Sequence, residues 1–224
     1  MGDLFSCSRS EDGRKSSRKA PQLCVDAGGN VGSYASALLS KFPNTRIVIF
    51  EPANKNVEIL RQKFDNDPRI SVAQLALSDK QGETHLFSNE EGSGLASLTK
   101  RRLNHFGISF SFSEQVFTQR FDDYWTENLN RQEISLLKLD IEGHELEALK
   151  GMEKSLAHIS LIQFEFGGCN IDTKTYFQDF WYFFKSHGFD LYRLGPLGLK
   201  KLERYSEKDE FFSTTNYFAK RVPG

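Results

Sequence analysis

Residues 24–51 read Cys24-Val-Asp-Ala-Gly-Gly-Asn-Val-Gly32, an amphipathic stretch, and then Arg46-Ile-Val-Ile-Phe-Glu51. The spacing predicts a short apolar strand over Gln22–Asp26, a glycine turn, a helix over 31–41, and a second strand, Arg46–Phe50, that ends on an acid. This is a βαβ unit of the nucleotide-binding kind. The glycines let the chain turn sharply and let a ligand approach the backbone. A carboxylate at the end of the second strand, Glu51, can accept two hydrogen bonds from ribose hydroxyls. The unit therefore points to an adenosine-containing cofactor.

The turn discriminates between cofactors. A dinucleotide site wants Gly-x-Gly-x-x-Gly. Here the closest register is Ala27, Gly29 and Gly32, so the first glycine is missing. Pyrophosphate sits over a helix N-terminus and is repelled by a nearby carboxylate, and this turn carries Asp26. An acid there suits a ligand with a cationic end. S-adenosylmethionine, with an ammonium and a sulfonium, is expected, and an NAD(P)-dependent oxidoreductase is the runner-up.

Composition sets further bounds. A chain of 224 residues is long enough for one domain with a sizeable core. A net charge of −1 supplies no global field for nucleic acid. Lys100-Arg101-Arg102 and Lys200-Lys201 read as solvated faces. Cys7, Cys24 and Cys169 form no Cys-x-x-Cys pair, which suggests a reducing compartment, and a cytoplasmic location is expected. No apolar run reaches the ~18 residues of a membrane span, and there is no signal-peptide core. Residues 1–20 read as a disordered polar tail ahead of a single domain over 21–224. The tail's Gly2-Asp-Leu-Phe-Ser-Cys7 fits a loose myristoylation pattern, so membrane contact is expected only if that end is lipidated.

Along the domain, helices are expected over 54–64, with Asn54 as N-cap, and over 121–128, 142–156 and 173–187. Strands are expected over 70–77, 84–87, 135–139, 159–166, 190–194 and 211–219, the last two as a terminal hairpin. Residues 88–118 read as an insertion or lid carrying Phe106, Phe110 and Phe112. Tyr176, Phe177, Phe180, Trp181 and Phe184 have helical spacing and read as core. Alternation of strand and helix implies an α/β fold on a mostly parallel sheet.

The segment Lys138-Leu-Asp-Ile-Glu-Gly-His-Glu145 follows a buried strand. Ligands of open α/β sheets bind beyond the carboxyl ends of strands. Asp26, Glu51, Asp79, Asp140 and Glu165 all fall at such ends. A helix cap explains Glu142 and Glu145 but explains Asp140 less well, because Asp140 closes a buried strand.

Four motifs in order resemble the FkbM-type methyltransferases. They are Asp26-Ala-Gly-Gly-Asn-Val-Gly-Ser-Tyr34, Ile49-Phe-Glu-Pro52, Ala76-Leu-Ser-Asp-Lys-Gln-Gly-Glu83 and Leu136-Leu-Lys-Leu-Asp-Ile-Glu-Gly-His-Glu-Leu-Glu-Ala-Leu-Lys-Gly151. The resemblance covers about residues 22–195, with Asn216-Tyr217 as an extension. The family usually has Gly-Ala-Asn where this chain has Gly28-Gly29-Asn30, a change expected to loosen the loop without removing a binding group. The resemblance implies a class I methyltransferase, Rossmann-like fold with seven strands, the last antiparallel. It also implies S-adenosylmethionine as donor and a hydroxyl on a sugar or other natural product as acceptor. On that basis Gly28, Asn30 and Gly32, with Asp26, are expected to hold the methionine portion, Glu51 the ribose, and Ser78 and Asp79 the adenine edge. Asp140 is the first candidate base, His144 the second, and Glu165 lines the acceptor side. A small-molecule or glycan acceptor is expected as partner, and no nucleic acid. Asp140-x-Glu142-x-His144 has metal-ligand types, but side chains at i and i+2 entering a helix diverge by about 200°, so no metal is assigned. A scaffold that keeps the fold without turnover is the non-enzymatic alternative.

Overall fold

The computed structural model describes residues 20–222. The tail's structure and its lipidation pattern therefore lie outside the described residues, apart from Ala20. Strand β1 (Leu23–Ala27) is buried on both faces, as expected of an inner strand of a covered parallel sheet. It feeds the glycine turn and helix α1 (Ser33–Lys41), then β2 (Arg46–Phe50), α2 (Asn54–Lys63) and β3 (Ile70–Ala73). The second half contributes α3 (Phe121–Asn128), β7 (Leu136–Leu139), α4 (Glu145–Lys150) and β8 (Leu161–Phe166). Then come α5 (Cys169–Thr173), α6 (Phe177–Ser186), β9 (Phe189–Gly195), β10 (Gly198–Leu202) and β11 (Thr215–Arg221). The chain order between β3 and α3 is completed by β4 (Ala76–Leu77), β5 (Gly82–Ser88) and β6 (Phe112–Gln119).

The main sheet runs β10-β9-β11-β8-β7-β1-β2-β3. Strands β3, β2, β1, β7 and β8 pair in parallel, and β11 pairs antiparallel with both β8 and β9. One face packs Val25, Leu137 and Leu139 against α3, α4 and α6, and the other packs Cys24, Ile47 and Ile49 against α1 and α2. The α/β class and mostly parallel sheet stand as expected. The sheet has eight strands rather than seven. The additional one, β10, carries Lys200-Lys201 and lies at the edge beyond β9, so its polar sequence gave no strand signal. The terminal hairpin is therefore β9–β10, and β11 slots between β9 and β8.

Five other expectations are corrected. The strand expected over 70–77 splits: Leu75 N–H donates to the Ala73 carbonyl in a tight turn, and β4 leaves for a second sheet ordered β4-β6-β5. The last part of the 88–118 segment is β6, paired antiparallel along the whole of β5, so the irregular stretch is 89–111. The helix expected over 142–156 is cut to Glu145–Lys150, because Glu142 and Gly143 adopt left-handed φ of 54° and 102°. The helix expected over 173–187 divides at Lys174, φ 56°, and restarts behind Tyr176 with an Asp179 capping box. Asn54 is not an N-cap. It is the first helical residue, its N–H is taken by Glu114 and its side-chain oxygen accepts from Gln74.

Phe177, Phe180, Trp181 and Phe184 are core, as expected, whereas Tyr176 is exposed. Cys24 and Cys169 are buried free thiols. Among the described residues no helix is long and apolar enough to cross a membrane.

Candidate active site

The carboxyl ends of β1, β2 and β7 open onto a cleft with about 700 Å³ of atom-free space, solvent at the mouth included. Gly28, Asn30 and Glu51 line the ends of β1 and β2, Leu75–Leu77 a side, and Asp140, Glu142 and His144 the end of β7, next to Gly28. The far wall is the stretch Ser93–Leu98 of the irregular segment.

Glu51 is 5% exposed at this cleft. Its Oε2 accepts the Asn30 N–H at 2.7 Å and its Oε1 the Ala53 N–H at 3.0 Å. Burial pushes its carboxyl above the usual range, opposed by these backbone bonds and one from the Asn56 side chain. The same carboxylate thus ties the glycine turn to the start of α2. Asn56, which sequence reasoning missed, lines the cleft and is left with a buried, unpartnered Oδ1.

Each glycine of the turn has its own job. Gly28, at φ 80°, lines the cleft, and a Cβ there would sit 1.8 Å from the Asp140 carbonyl oxygen, so the residue sets how closely β1 and β7 approach. Gly29 lies on Ile49, 2.1 Å from where its Cβ would be; its replacement of the family's alanine fits a packing contact rather than added flexibility. Gly32, expected as a ligand, is instead the left-handed N-cap of α1 packed on Leu60 and Phe64, and it does not line the cleft.

Asp26 is also relocated. It alternates with Val25 and Ala27, so its side chain falls on the α1 face with Cys24, 1% exposed, and it does not line the cleft. Its register partner across β7 is Lys138, whose partner on β8 is Gln163, giving a buried polar row beneath Tyr34. Lys138 Nζ donates to Asp26 Oδ1 at 3.3 Å, reaches Asp140 Oδ2 at 3.2 Å, and lies 5.0 Å from the Tyr34 ring centroid. Tyr34 donates to Gln163, which donates to Asn216. Burial raises the Asp26 carboxyl, Lys138 opposes it, and Oδ2 remains unpartnered. The cation expected at Asp26 is therefore the chain's own lysine. An ionisable residue inside an apolar strand, two positions before Asp140, was the signal that pointed to it.

Ser78 and Asp79 do not line the cleft. The jog after β3 brings Leu75, Ala76 and Leu77 there instead, and Ser78 packs beside Gly151. Asp79 is exposed and accepts from the Ser78 hydroxyl.

The candidate bases separate clearly. Asp140 opens into the cleft with its side chain 38% exposed. His144 lines the cleft but both ring nitrogens are engaged, Nε2 with Thr99 Oγ1 at 3.0 Å and Nδ1 with Glu147 at 3.2 Å. Glu165 does not line the cleft, yet its carboxylate, with those of Asp140 and Glu142, forms a group whose oxygens lie within 4.8 Å of one another. Burial, reinforced by Asp140 and Glu142, raises the Glu165 carboxyl to about 7. Burial also raises Glu142 to about 7, against the pull of Arg101. Three such carboxylates are a donor set for a hard cation. Here Lys138 already pairs with Asp140, and Arg101 with Glu142. His144 is not in the cluster.

Arg101, read from sequence as a solvated cation, has a side chain only 9% exposed and bridges Glu142 and Asp172. With the Ser97 hydroxyl donating to the Glu142 carbonyl at 2.8 Å, it fastens the irregular segment over this end of the cleft. Behind the cluster, Glu145 is fully buried, its Oε1 accepting the N–H groups of Ile141 and Gly143.

Comparison with known proteins agrees with this architecture. A family model described as "Methyltransferase FkbM domain" matches residues 26–191. The chain is 24% identical over 143 residues to "Methyltransferase 1" of Beauveria bassiana, covering 58% of this chain and 57% of that protein. It is 26% identical over 157 residues to "2-O-methyltransferase NoeI" of Sinorhizobium fredii, covering 66% and 64%. The chain thus spans less than two thirds of the length of these relatives. Among solved structures, the fibrillarin pre-rRNA processing protein of Methanococcus jannaschii matches with a TM-score of 0.51 at 8% identity, over 91% of this chain and 67% of that one, a likeness of fold alone. Family match, sheet order and the cleft at the strand ends together place this chain in the FkbM methyltransferase family.

Proposed function

We propose that this protein is an S-adenosylmethionine-dependent O-methyltransferase acting on a hydroxyl of a sugar or other natural-product acceptor. The observation that carries the reading is one cleft lined by Glu51 at the end of β2 and by Asp140 and Glu142 beyond β7, with the Glu165 carboxylate against those two from outside the lining. The unpartnered Asn56 Oδ1 beside Glu51 fits a nucleoside that offers hydroxyl or amino donors. Gly28, Asn30 and Glu51 would hold the donor, with Leu75, Leu77 and Ile141 as apolar walls for its base. When bound, the donor supplies a methyl group already activated on a sulfonium.

The protein's own work is then to align the acceptor oxygen and take up its proton. Asp140, held by Lys138 and facing the cleft, is the group placed to orient the hydroxyl. Glu165, near neutrality, is poised to hold the proton. The Sinorhizobium relative, named as a 2-O-methyltransferase, supports oxygen as the acceptor atom. A net charge of −1 supports a small molecule or glycan rather than nucleic acid.

The test combines binding and transfer. Calorimetry should show S-adenosylmethionine and S-adenosylhomocysteine binding and no NAD heat. Asp140→Asn should keep cofactor binding and lower methyl transfer from labelled donor by ~10²-fold or more, the usual scale of general-base loss. Tight NAD binding without adenosylmethionine heat, or normal turnover in Asp140→Asn, would reject the corresponding part.

A further inference from the structure

Beside the cleft, on the same edge of the sheet, lies a second and wider cavity formed by Arg102, Asn104, His105, Ile171, Asp172 and Lys174. It is an open hollow, with about 1200 Å³ of atom-free space that includes the solvent at its mouth. One guanidinium joins the two. Arg101 contacts Glu142 of the cleft and, at 3.4 Å, Asp172 of the cavity. Resting on the methyltransferase reading above, we infer that this cavity is the acceptor subsite and that it takes a carboxylate or phosphate group of the acceptor.

The charge balance carries this. Asp172 is the acidic residue in the cavity wall, and both its oxygens are committed: Oδ2 to Arg101 Nε, Oδ1 to the Arg102 backbone N–H at 3.2 Å. The side chains of Arg102 and Lys174 have no ion-pair partner among the described residues. The cavity is therefore locally cationic on a chain of net charge −1. Its neighbour is the opposite, a cluster of three carboxylates with oxygens within 4.8 Å of one another. An acceptor with an anionic end is repelled from the carboxylates and drawn to Arg102 and Lys174, which leaves its hydroxyl end facing Asp140. The two sites thus fix the orientation that alignment for transfer requires.

The rim adds an apolar component. Ile171 is 60% exposed in the cavity wall, and Phe106, 71% exposed, follows His105 directly. The Phe106 ring packs on that of His105, centroids 4.2 Å apart, so an aromatic face that a sugar ring can lie against borders the cavity. The ligand class is therefore a hydroxylated ring compound that bears a carboxylate or phosphate.

The experiment uses the full chain with S-adenosylhomocysteine present. Binding of D-glucuronate, D-glucose 6-phosphate, inorganic phosphate and D-glucose is measured by calorimetry or saturation-transfer NMR at low and high salt. The comparison is with the double variant Arg102→Gln/Lys174→Gln, which removes both charges and keeps flexible polar side chains. Lys174 is already at a positive φ, so glutamine adds no new backbone strain. Melting temperature and adenosylhomocysteine affinity serve as folding controls. The wild type should bind the anionic sugars at least about tenfold more tightly than glucose, a gap of ~1.4 kcal/mol. The double variant should lose that gap while its glucose binding is unchanged, and the gap should narrow with salt. Glucuronate against glucose 6-phosphate decides which anion the cavity prefers. Equal binding of glucose and the anionic sugars, equal affinities in wild type and variant, or inorganic phosphate binding as tightly as the sugar phosphate would each overturn the acceptor subsite. A parallel transfer assay separates the two readings. Anion binding with no methylation of any hydroxyl counts against O-methylation and leaves the subsite standing. Methylation without anion preference does the reverse.

Discussion

Replacing Glu51 separates its two roles, because one carboxylate both holds the glycine turn and faces the cleft. In Glu51→Ala the N–H groups of Asn30 and Ala53 lose their acceptor. A hydrogen bond to a charged group contributes about 1.5–3 kcal/mol net, so two of them set a range of about 3–6 kcal/mol. Burial already disfavours the charged carboxylate, and the open cleft admits water to the bared N–H groups, so the lower end of the range applies. At roughly 2–4 °C per kcal/mol for a domain of this size, about 3 kcal/mol lowers Tm by about 6–12 °C. Glu51→Gln keeps one acceptor oxygen but turns an NH2 toward a backbone N–H, so about half that loss is expected. It remains folded, and its affinity for S-adenosylhomocysteine should fall by about tenfold, or ~1.4 kcal/mol. The assay is thermal melting of both variants with and without S-adenosylhomocysteine, followed by calorimetry on the glutamine variant. An alanine variant that melts with the wild type would refute the tether. An unchanged dissociation constant in the folded glutamine variant would refute the ribose assignment.

Other outcomes follow from the same geometry. Burial raises the Glu145 carboxyl to about 8, so the folded state holds a proton that the unfolded chain releases near pH 4.5. That contribution to stability is complete below about pH 4.5 and is lost as pH rises through 8, so Glu145→Gln should flatten this part of the stability–pH curve; an unaltered slope sinks the claim. If Glu165, raised to about 7, holds the acceptor proton, kcat should climb with pH through about 7 and Glu165→Gln should abolish that limb. A pH profile identical in Glu165→Gln removes it from proton transfer. Gly28→Ala would place a Cβ 1.8 Å from the Asp140 carbonyl oxygen at a φ of 80°, so a loss above about 3 kcal/mol is expected in denaturant melts. A variant within about 1 kcal/mol of wild type would show that the strand ends part easily.

The sequence by itself determined the α/β class, the βαβ unit, and the placing of Gly28, Asn30, Glu51 and Asp140 at the cleft. These follow from local rules: apolar runs make buried strands, glycine permits the turn, and strand ends face the ligand edge. Helix Phe121–Asn128 and strand Arg46–Phe50 fell where periodicity put them. Tertiary structure decided what local rules do not encode. Asp26 alternates with Val25 and Ala27 and so shares the face of Cys24, where its neighbour is Lys138 of β7, 112 residues away, instead of a ligand. Ser78 and Asp79 lost the cleft to Leu75–Leu77 because the chain jogs after β3 into a second sheet. Arg101 looks like a surface cation in sequence, and its partners Glu142 and Asp172 lie 41 and 70 or more residues away, so only folding shows that it is held between them. Glu165 comes close to Asp140 because β7 and β8 are neighbours in the sheet, and burial, reinforced by that proximity, raises its carboxyl to about 7. Residue type and spacing fix which chemistry a chain can offer; pairwise distances and burial, which arise only when strands far apart in sequence become neighbours, fix which of those groups are free to use it.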